Sequence, residues 1–453
     1  MAYKNATLMT EGNIWEKLIK FALPLMLGYL FQQFYTAVDS IVVGNFVSKQ
    51  ALAAVGTTTP IVNMLIGFFT GLSSGASVVI ARSFGAQNHK KLEDAVHTAI
   101  GMIFALSVVA PAVGVFMVPY TLRFMKTPDD VFVESKTYLT IYFAGIASLM
   151  IYNMGAAILR AVGDSKRPLY FLIASSFVNI IFDLIFVIVF RLGVAGAAYA
   201  TVLSQTISSI LVLRTLTKEE GIYKLCWNKI KIHKYIMKEI FHIGFPTALQ
   251  QSITSFSNVF VQSYINAFGS SVMAAWSAYV KIDHFAIIPL DSISMSITTF
   301  VGQNLGTKDV KRAEKGTKYA VILSILATVA ISAPILIFAP QLIMLFNREA
   351  EVVEYGAFLL RFMTPFYALV ALGAVVAGAL CGSGDTKFPT AIRLFSFVVF
   401  RQVYLFFVTQ YTGSFTAVAL GYPLGWILSA VLISIYYLRK KREIEIKFSD
   451  EIL

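Results

Sequence analysis

Asp39, Asn179, Asp183 and Thr201 place two carboxylates, an amide and a hydroxyl inside stretches that are otherwise apolar. On a helix Asn179 and Asp183, four positions apart, stand one turn above each other on one face. A carboxylate at the centre of a membrane helix costs roughly 3 kcal/mol even on a lenient insertion scale, so such a residue faces a partner, a cavity or an ion. Ala197 and Thr201 share a face of the sixth apolar stretch, whose start, Gly196-Ala197-Ala198-Tyr199-Ala200, is rich in small residues and permits close packing. The Ala197 carbonyl and the Thr201 hydroxyl can therefore converge with the fifth stretch. All these donors are hard oxygens, which suit an alkali or alkaline-earth cation and not zinc or copper. Two acids packed closely also hold one shared proton, because both cannot ionise cheaply without a counter-charge. The set supports a site that takes either a small cation or a proton.

These residues need a membrane scaffold to position them. Of the 453 residues, 57% are hydrophobic and 14% charged, and the mean hydropathy is +0.71, outside the range of soluble domains. Apolar runs of about 20 residues, each able to cross roughly 30 Å of hydrocarbon, recur along the whole chain. Twelve spans are predicted, at about 18–43, 53–81, 93–119, 134–158, 168–190, 193–216, 239–266, 272–301, 317–345, 352–380, 388–411 and 414–438. Gly, Pro and long uninterrupted runs make them helices and not barrel strands, so the predicted class is an all-α integral membrane protein. Lys and Arg concentrate in the N-terminus, the loops after even-numbered spans and the C-terminal tail. That asymmetry predicts a multi-pass protein of the inner cell membrane with both termini cytoplasmic. The net charge of +12 is then topological and gives no reason to expect nucleic acid. Cys226 and Cys381 offer neither a disulfide framework nor a metal cluster. The polar first thirteen residues and the length of the first span do not read as a cleaved signal peptide.

The chain repeats itself. Gly163-Asp164-Ser165-Lys166 with Pro168 recurs as Gly384-Asp385-Thr386-Lys387 with Pro389, a displacement of 221 residues. The same displacement carries Gly85, Lys90, Lys91 and Glu93 onto Gly306, Lys311, Arg312 and Glu314, and with one indel Pro24 onto Pro246. The predicted organisation is an N-terminal lobe over 1–217, a connector over 218–238 and a C-terminal lobe over 239–453. The connector is expected to run partly as an amphipathic surface helix through Ile230, Ile232 and Ile236. Parallel repeats with midplane sites and alternating access are an established transporter architecture.

The repeat also serves as an internal control. Asn179 and Asp183 map onto Phe400 and Tyr404, and Asp39 onto Phe260 or Val261, so the scaffold tolerates apolar residues there. Asp39 follows Pro24 by fifteen residues, and a proline that removes a helix hydrogen bond invites a bend, making Pro24 the candidate kink. Substrate-cavity candidates are Gln32 and Tyr35 beside Asp39, Tyr138 and Tyr142 on one face of the fourth span, and Tyr279 and Met295 in the eighth. Aromatic and thioether groups suit flat hydrophobic cations. Neither Gly-Asp loop carries a phosphate-cradling Lys-Ser/Thr ending, so no nucleotide is expected and export energy must come from an ion gradient. These loops are expected to cap and terminate helices.

With twelve spans, the six-plus-six repeat, Gly-Asp-x-Lys-x-Pro loops and the Pro24/Asp39 pair, the chain resembles the multidrug and toxic compound extrusion (MATE) family, in its bacterial DinF/MepA-like type. The resemblance implies a Na⁺ or H⁺ site in the N-terminal lobe at Asp39, Asn179, Asp183, Ala197 and Thr201. A Na⁺ ion would use Asp39, Asn179, Asp183 and Thr201. It further implies export of hydrophobic, often cationic drugs in exchange for an inward cation, with bending at Pro24. No other cofactor and no enzymatic role are expected, and the chain is read as a monomer in a lipid bilayer. One branch of the family carries acids in the seventh and tenth spans, and the corresponding stretches of this chain, PTALQQSITSFSNVF and PFYALVALGAVVAGAL, have none. Its C-terminal lobe instead holds Lys281, Asp283 and Asp291 in the eighth span and Arg401 in the eleventh, read as a structural ion network or a second proton or substrate site. A flippase of lipids or lipid-linked oligosaccharides is the alternative function, and it would require several Arg or Lys residues lining the cavity.

Overall fold

Twelve helical spans run through the described part of the chain, residues 8–125 and 127–450 of the computed structural model. They are α1 (Ile14–Phe46), α2 (Lys49–Gly85), α3 (His89–Phe124), α4 (Asp129–Ala144 and Ile146–Ala161), α5 (Lys166–Asp183 and Leu184–Val189) and α6 (Val194–Lys218). After the connector follow α7 (Lys234–Asn266), α8 (Ser270–Gly306), α9 (Val310–Ile337), α10 (Ala350–Met363, Thr364–Phe366 and Tyr367–Gly382), α11 (Lys387–Leu394, Phe395–Phe400 and Arg401–Tyr411) and α12 (Phe415–Asp450). Nine of these are long and apolar enough to cross a bilayer, and α4 makes a tenth span bent by 47° at Gly145. The other two, α1 and α7, are 33 residues each and carry more polar residues. The protein is an all-α membrane protein, as its hydropathy predicts.

The repeated loops end and start helices with the same chemistry in each half. Gly163 and Gly384 have φ of 85° and 76°, a left-handed conformation that residues with a Cβ adopt at a cost. This lets the Asp164 and Asp385 N–H groups reach back to the Leu159 and Leu380 carbonyls at 2.9 and 3.0 Å, closing the preceding helix. In the other pair of loops Asn88 Oδ1 accepts from the Lys91 N–H at 3.0 Å, and Asp309 Oδ1 from the Arg312 N–H at 2.9 Å. Each side chain thereby satisfies a free donor at its helix start.

The chain divides into two compact units, and the division does not follow the connector. One unit comprises Met1–Leu8 and Leu23–Ala248, the other Met9–Ala22 and Leu249–Leu453. One change of unit, between Leu8 and Met9, precedes α1, and the other two lie inside helices, within two residues of Pro24 in α1 and of Pro246 in α7. The start of α1 belongs to the second unit because its side chains and backbone are fastened there. The Met9 N–H donates to Gln303 Oε1 at 2.8 Å, Arg312 Nη2 donates to the Gly12 carbonyl at 2.8 Å, and Ser296 Oγ donates to the Leu18 carbonyl at 3.2 Å. The start of α7 is held in the first unit by contact without side chains: a Cβ at Gly75 would stand 2.5 Å from the Ile240 oxygen and 2.6 Å from Gly244 Cα. Gly75 and Ser296 are repeat equivalents, 221 residues apart. The crossing is thus built twice, once with glycine and once with a hydroxyl. Helix α1 runs continuously through Pro24.

The connector is clamped to the first unit. It is not a surface helix: Ile230 is extended, and Ile230 and Ile232 pack where a Cβ on Gly101 of α3 would meet them at 3.3 and 3.1 Å. Buried His97 accepts the Cys226 N–H on Nε2 at 3.0 Å, which leaves Nδ1 as the donor to the Glu93 carbonyl at 2.7 Å. Arg167 joins three groups: Asp164, Glu219 at 2.6 Å and the Tyr223 hydroxyl at 3.1 Å. Burial pushes the Tyr223 phenol above its usual range, so it meets Arg167 as a neutral acceptor. Replacing Arg167 by Ala leaves Glu219 buried without its partner, at an expected cost of about 3 kcal/mol. The accompanying readout is faster amide hydrogen exchange at Leu225 and Cys226.

Candidate functional site

The first unit carries the oxygen-bearing residues on three helices, α1, α5 and α6. Helix α5 presents Asn179 and Asp183 one turn apart, and they are 1% and 0% exposed. Its regular α-helical geometry ends at Asp183. The next turn, Leu184–Val189, is π-helical and closes with the Phe190 N–H bonded to the Ile185 carbonyl at 2.9 Å. Such widened turns cluster at functional sites because they re-aim the side chains beside them. Asp39 of α1 is 7% exposed and interacts electrostatically with Asp183, and Tyr138 of α4 feels both charges. On α6, the Thr201 hydroxyl donates to the Ala197 carbonyl at 3.0 Å, which leaves the threonine oxygen lone pairs as acceptors.

Five buried polar atoms of these three side chains have no hydrogen-bond partner: Asp39 Oδ1, Asn179 Oδ1 and Nδ2, and both carboxylate oxygens of Asp183. Gln205 Oε1 on α6 is a sixth such atom nearby in sequence to Thr201. An unsatisfied buried polar group costs about 1–3 kcal/mol, and more when charged. Among the described residues no Lys or Arg nitrogen comes within 4.0 Å of either carboxylate. The orphaned oxygens are hard donors around two like charges, and they fit a small hard cation or a proton. No group of three or more His, Cys, Asp or Glu side chains placed to hold a metal ion occurs among the described residues.

A cavity of about 90 Å³ lies in the same unit. It is bounded by Pro24, Gln32, Tyr152, Asn153, Arg160 and Gln205, among others. Gln32 is therefore a cavity residue, and Tyr35 interacts with Gln32, Gln205 and the Asp39 charge. Tyr138 and Tyr142 stack with centroids 6.3 Å apart, 6% and 7% exposed. Sequence reasoning missed Asn153, Arg160 and Gln205. Gln205 stands four residues after Thr201, and that helical spacing was the signal available for it.

The second unit separates the four charges expected to form one network. Lys281 Nζ lies over the Phe346 ring at 5.4 Å, and Asp291 interacts electrostatically with Arg393. The Arg401 guanidinium lies 4.7 Å from the Tyr422 ring centroid and donates to Asn258 Oδ1 at 2.8 Å and Ser257 Oγ at 3.3 Å. Asp283 accepts hydrogen bonds from the hydroxyls of Tyr279, at 3.2 Å, and Tyr367. No pair of these four charges comes within 4.0 Å; Asp283 and Arg401 hydrogen-bond to neutral polar partners instead. Met295 is half-buried.

Comparison with known proteins gives a consistent picture. The family model described as MatE matches twice, over residues 24–185 and 246–407, which are the two repeats. The Probable multidrug resistance protein YpnP of Bacillus subtilis is 28% identical over 428 residues, covering 94% of this chain and 96% of that one. The Multidrug export protein MepA of Staphylococcus saprophyticus is 21% identical, with 87% of each chain covered. Among solved structures, an outward-facing multidrug resistance MATE family transporter of the MOP superfamily superposes with a TM-score of 0.91. It is 25% identical, with 98% of this chain and 99% of that one covered.

Proposed function

Because the chain belongs to the MatE family, we propose that it is a membrane antiporter that exports hydrophobic, often cationic drugs in exchange for Na⁺ or H⁺ taken up in its first unit. The observation that carries this reading is the set of orphaned buried atoms on Asp39, Asn179 and Asp183. A bound cation would satisfy Asp39, Asn179 Oδ1, Asp183 and the free lone pairs of Thr201. A proton would relieve the repulsion between the two carboxylates. Either ligand removes charge from an apolar surrounding, so it favours whichever arrangement of α1, α5 and α6 brings these oxygens together. A drug that favours the other arrangement is then coupled to the ion, and each lowers the other's affinity by the same factor. The multidrug resistance and export functions named for the relatives support the choice of substrate class.

The test reconstitutes the full chain in liposomes and imposes a Na⁺ gradient and a pH gradient separately while a fluorescent cationic dye is followed. Uphill dye movement driven by at least one gradient is the expected outcome. Dye movement indifferent to both gradients would refute ion coupling.

A further inference from the structure

We infer that the second unit carries a site for an anionic phospholipid, at the end of the unit where the charge asymmetry predicts cytoplasm. The site is a cavity between the last turns of α8, α10 and α12 and the first turns of α9.

The cavity has a volume of about 40 Å³. Its wall is apolar, built from Val301 and Leu305 of α8, Ala313 of α9 and Leu380 of α10, and its charged lining is Glu314, Lys440 and Lys441. Lys441 Nζ lies 3.1 Å from Glu314 Oε2, so that pair cancels and Lys440 gives the lining a net positive charge. The surroundings share that sign: the α12 span ends in Arg439-Lys440-Lys441-Arg442, and α9 adds Lys311, Lys315 and Lys318. Four basic residues directly after a membrane helix attract anionic headgroups, and basic pockets between helix ends hold them. The apolar wall below the lysines offers a place for the first methylenes of an acyl chain, which a free phosphate does not use.

The internal repeat supplies the second argument. At the 221-residue displacement Glu314, Thr317 and Tyr437, which line the cavity, correspond to Glu93, Val96 and Leu216 of the first unit. There the connector covers the equivalent place. The Leu225 N–H donates to the Leu216 carbonyl at 2.9 Å, Lys229 Nζ pairs with Glu93 at 2.6 Å, and Tyr223 and Leu225 are buried. In the second unit the lining comes from α8, α9, α10 and α12 alone, and Glu314 takes its partner from α12. The charge reverses as well: Lys440 and Lys441 stand where the first unit has Glu219 and Glu220. A peptide carrying Lys224 and Lys229 suits the acidic version, and a phosphate suits the basic one. The chain's own ends are poorer occupants. Helix α12 continues to Asp450, where the connector leaves α6 after Lys218, and residues 1–7 hold one lysine and no acid. The lipid thus takes the connector's place in the second unit, beside α9, whose Arg312 grips the Gly12 carbonyl at the start of α1. The inference does not depend on ion coupling.

The test is native mass spectrometry of the purified full chain in detergent, offered an equimolar mixture of phosphatidylglycerol and phosphatidylcholine. Preferential retention of phosphatidylglycerol is expected, with a rise in unfolding midpoint when that lipid is added. Lys440→Gln combined with Lys441→Gln is expected to lower retention at least about fivefold. Ser383→Leu, which adds bulk to the cavity lining and leaves every charge in place, is expected to lower it about threefold or more, the loss of roughly one buried methylene. Lys224→Gln with Lys231→Gln removes the same charge from exposed connector positions and is expected to leave retention unchanged. If the Lys440/Lys441 variant does not fold, Ser383→Leu carries the test. Undiminished retention in the folded cavity variants, or an equal fall in the connector control, overturns the inference. Glycerol 1-phosphate raising the midpoint as much as phosphatidylglycerol does would assign the cavity to a free phosphate and overturn it too. So would retention that appears only when Ile444→Ser and Ile446→Ser are introduced, which assigns the cavity to the C-terminal tail.

Discussion

Replacing Asp183 by Asn is expected to reduce gradient-driven drug extrusion at least about tenfold, the loss that removing roughly 1.4 kcal/mol from the cation site produces. The variant keeps the size and shape of the side chain and removes its charge. It also replaces one orphaned oxygen by an amide donor, in a place where Asn179 Nδ2 is already a donor without an acceptor. Two donors and one remaining carboxylate cannot encircle a cation. Asp39→Asn is expected to act in the same direction, because Asp39 supplies the other charge. The measurement is uptake of a fluorescent cationic dye by inside-out vesicles, at matched protein levels. Stability should not fall, since neutralising one of two interacting buried carboxylates relieves repulsion. A transport defect without an unfolding defect is therefore the signature of a ligand role.

Gly75→Val is expected to have the largest effect on stability. In the first unit a Cβ on Gly75 would lie 2.5 Å from the Ile240 oxygen, and one on Gly71 would lie 2.4 Å from the Ala248 backbone. Backbone cannot step aside as a flexible side chain can, so α2 and the start of α7 must separate. Overpacking of this kind costs about 3 kcal/mol or more. Thermal unfolding in detergent should show it as a large drop in midpoint and a loss of monodisperse protein. Gly56→Ala is the control within the same helix: nothing lies within 4 Å of its Cβ, and removing a mid-helix glycine gains about 0.5–1 kcal/mol.

Much of this architecture is legible in the chain. The spans follow from apolar length, and the helix-ending loops from Gly-Asp and Asn or Asp cap chemistry, which is local. The 221-residue displacement predicts that these loops match, and they do in bond, partner and φ. Three features escaped because they depend on contacts distant in sequence. Nothing in Ile230 and Ile232 announces that Gly101, over a hundred residues earlier, leaves room for them, so their spacing reads as an amphipathic helix. His97 and Cys226 are likewise unremarkable until their backbone and ring meet. The fastening of α1's first turns to the second unit depends on Gln303 and Arg312, far along the chain. The π-helical turn after Asp183 is invisible for another reason: Leu-Ile-Phe-Val-Ile-Val suits an ordinary helix or a strand equally well. At the candidate ion site, Asn179 and Asp183 stood out because membrane polarity is expensive, whereas Gln205 was masked by a run of neighbouring serines and threonines. In the second unit the charges are visible in sequence but their partners are not. Tyr279 and Tyr367, rather than opposite charges, satisfy Asp283.

The central claim is that Asp39, Asn179 and Asp183 hold the coupling ion, and cation binding tests it without the complication of transport. Purified protein should take up Na⁺ in equilibrium dialysis with radioactive Na⁺, or take up a proton detectable in weakly buffered solution. A drug should displace that ion, and Asp39→Asn and Asp183→Asn should each abolish the displacement. Undiminished, drug-displaceable ion binding in both folded variants would contradict the assignment.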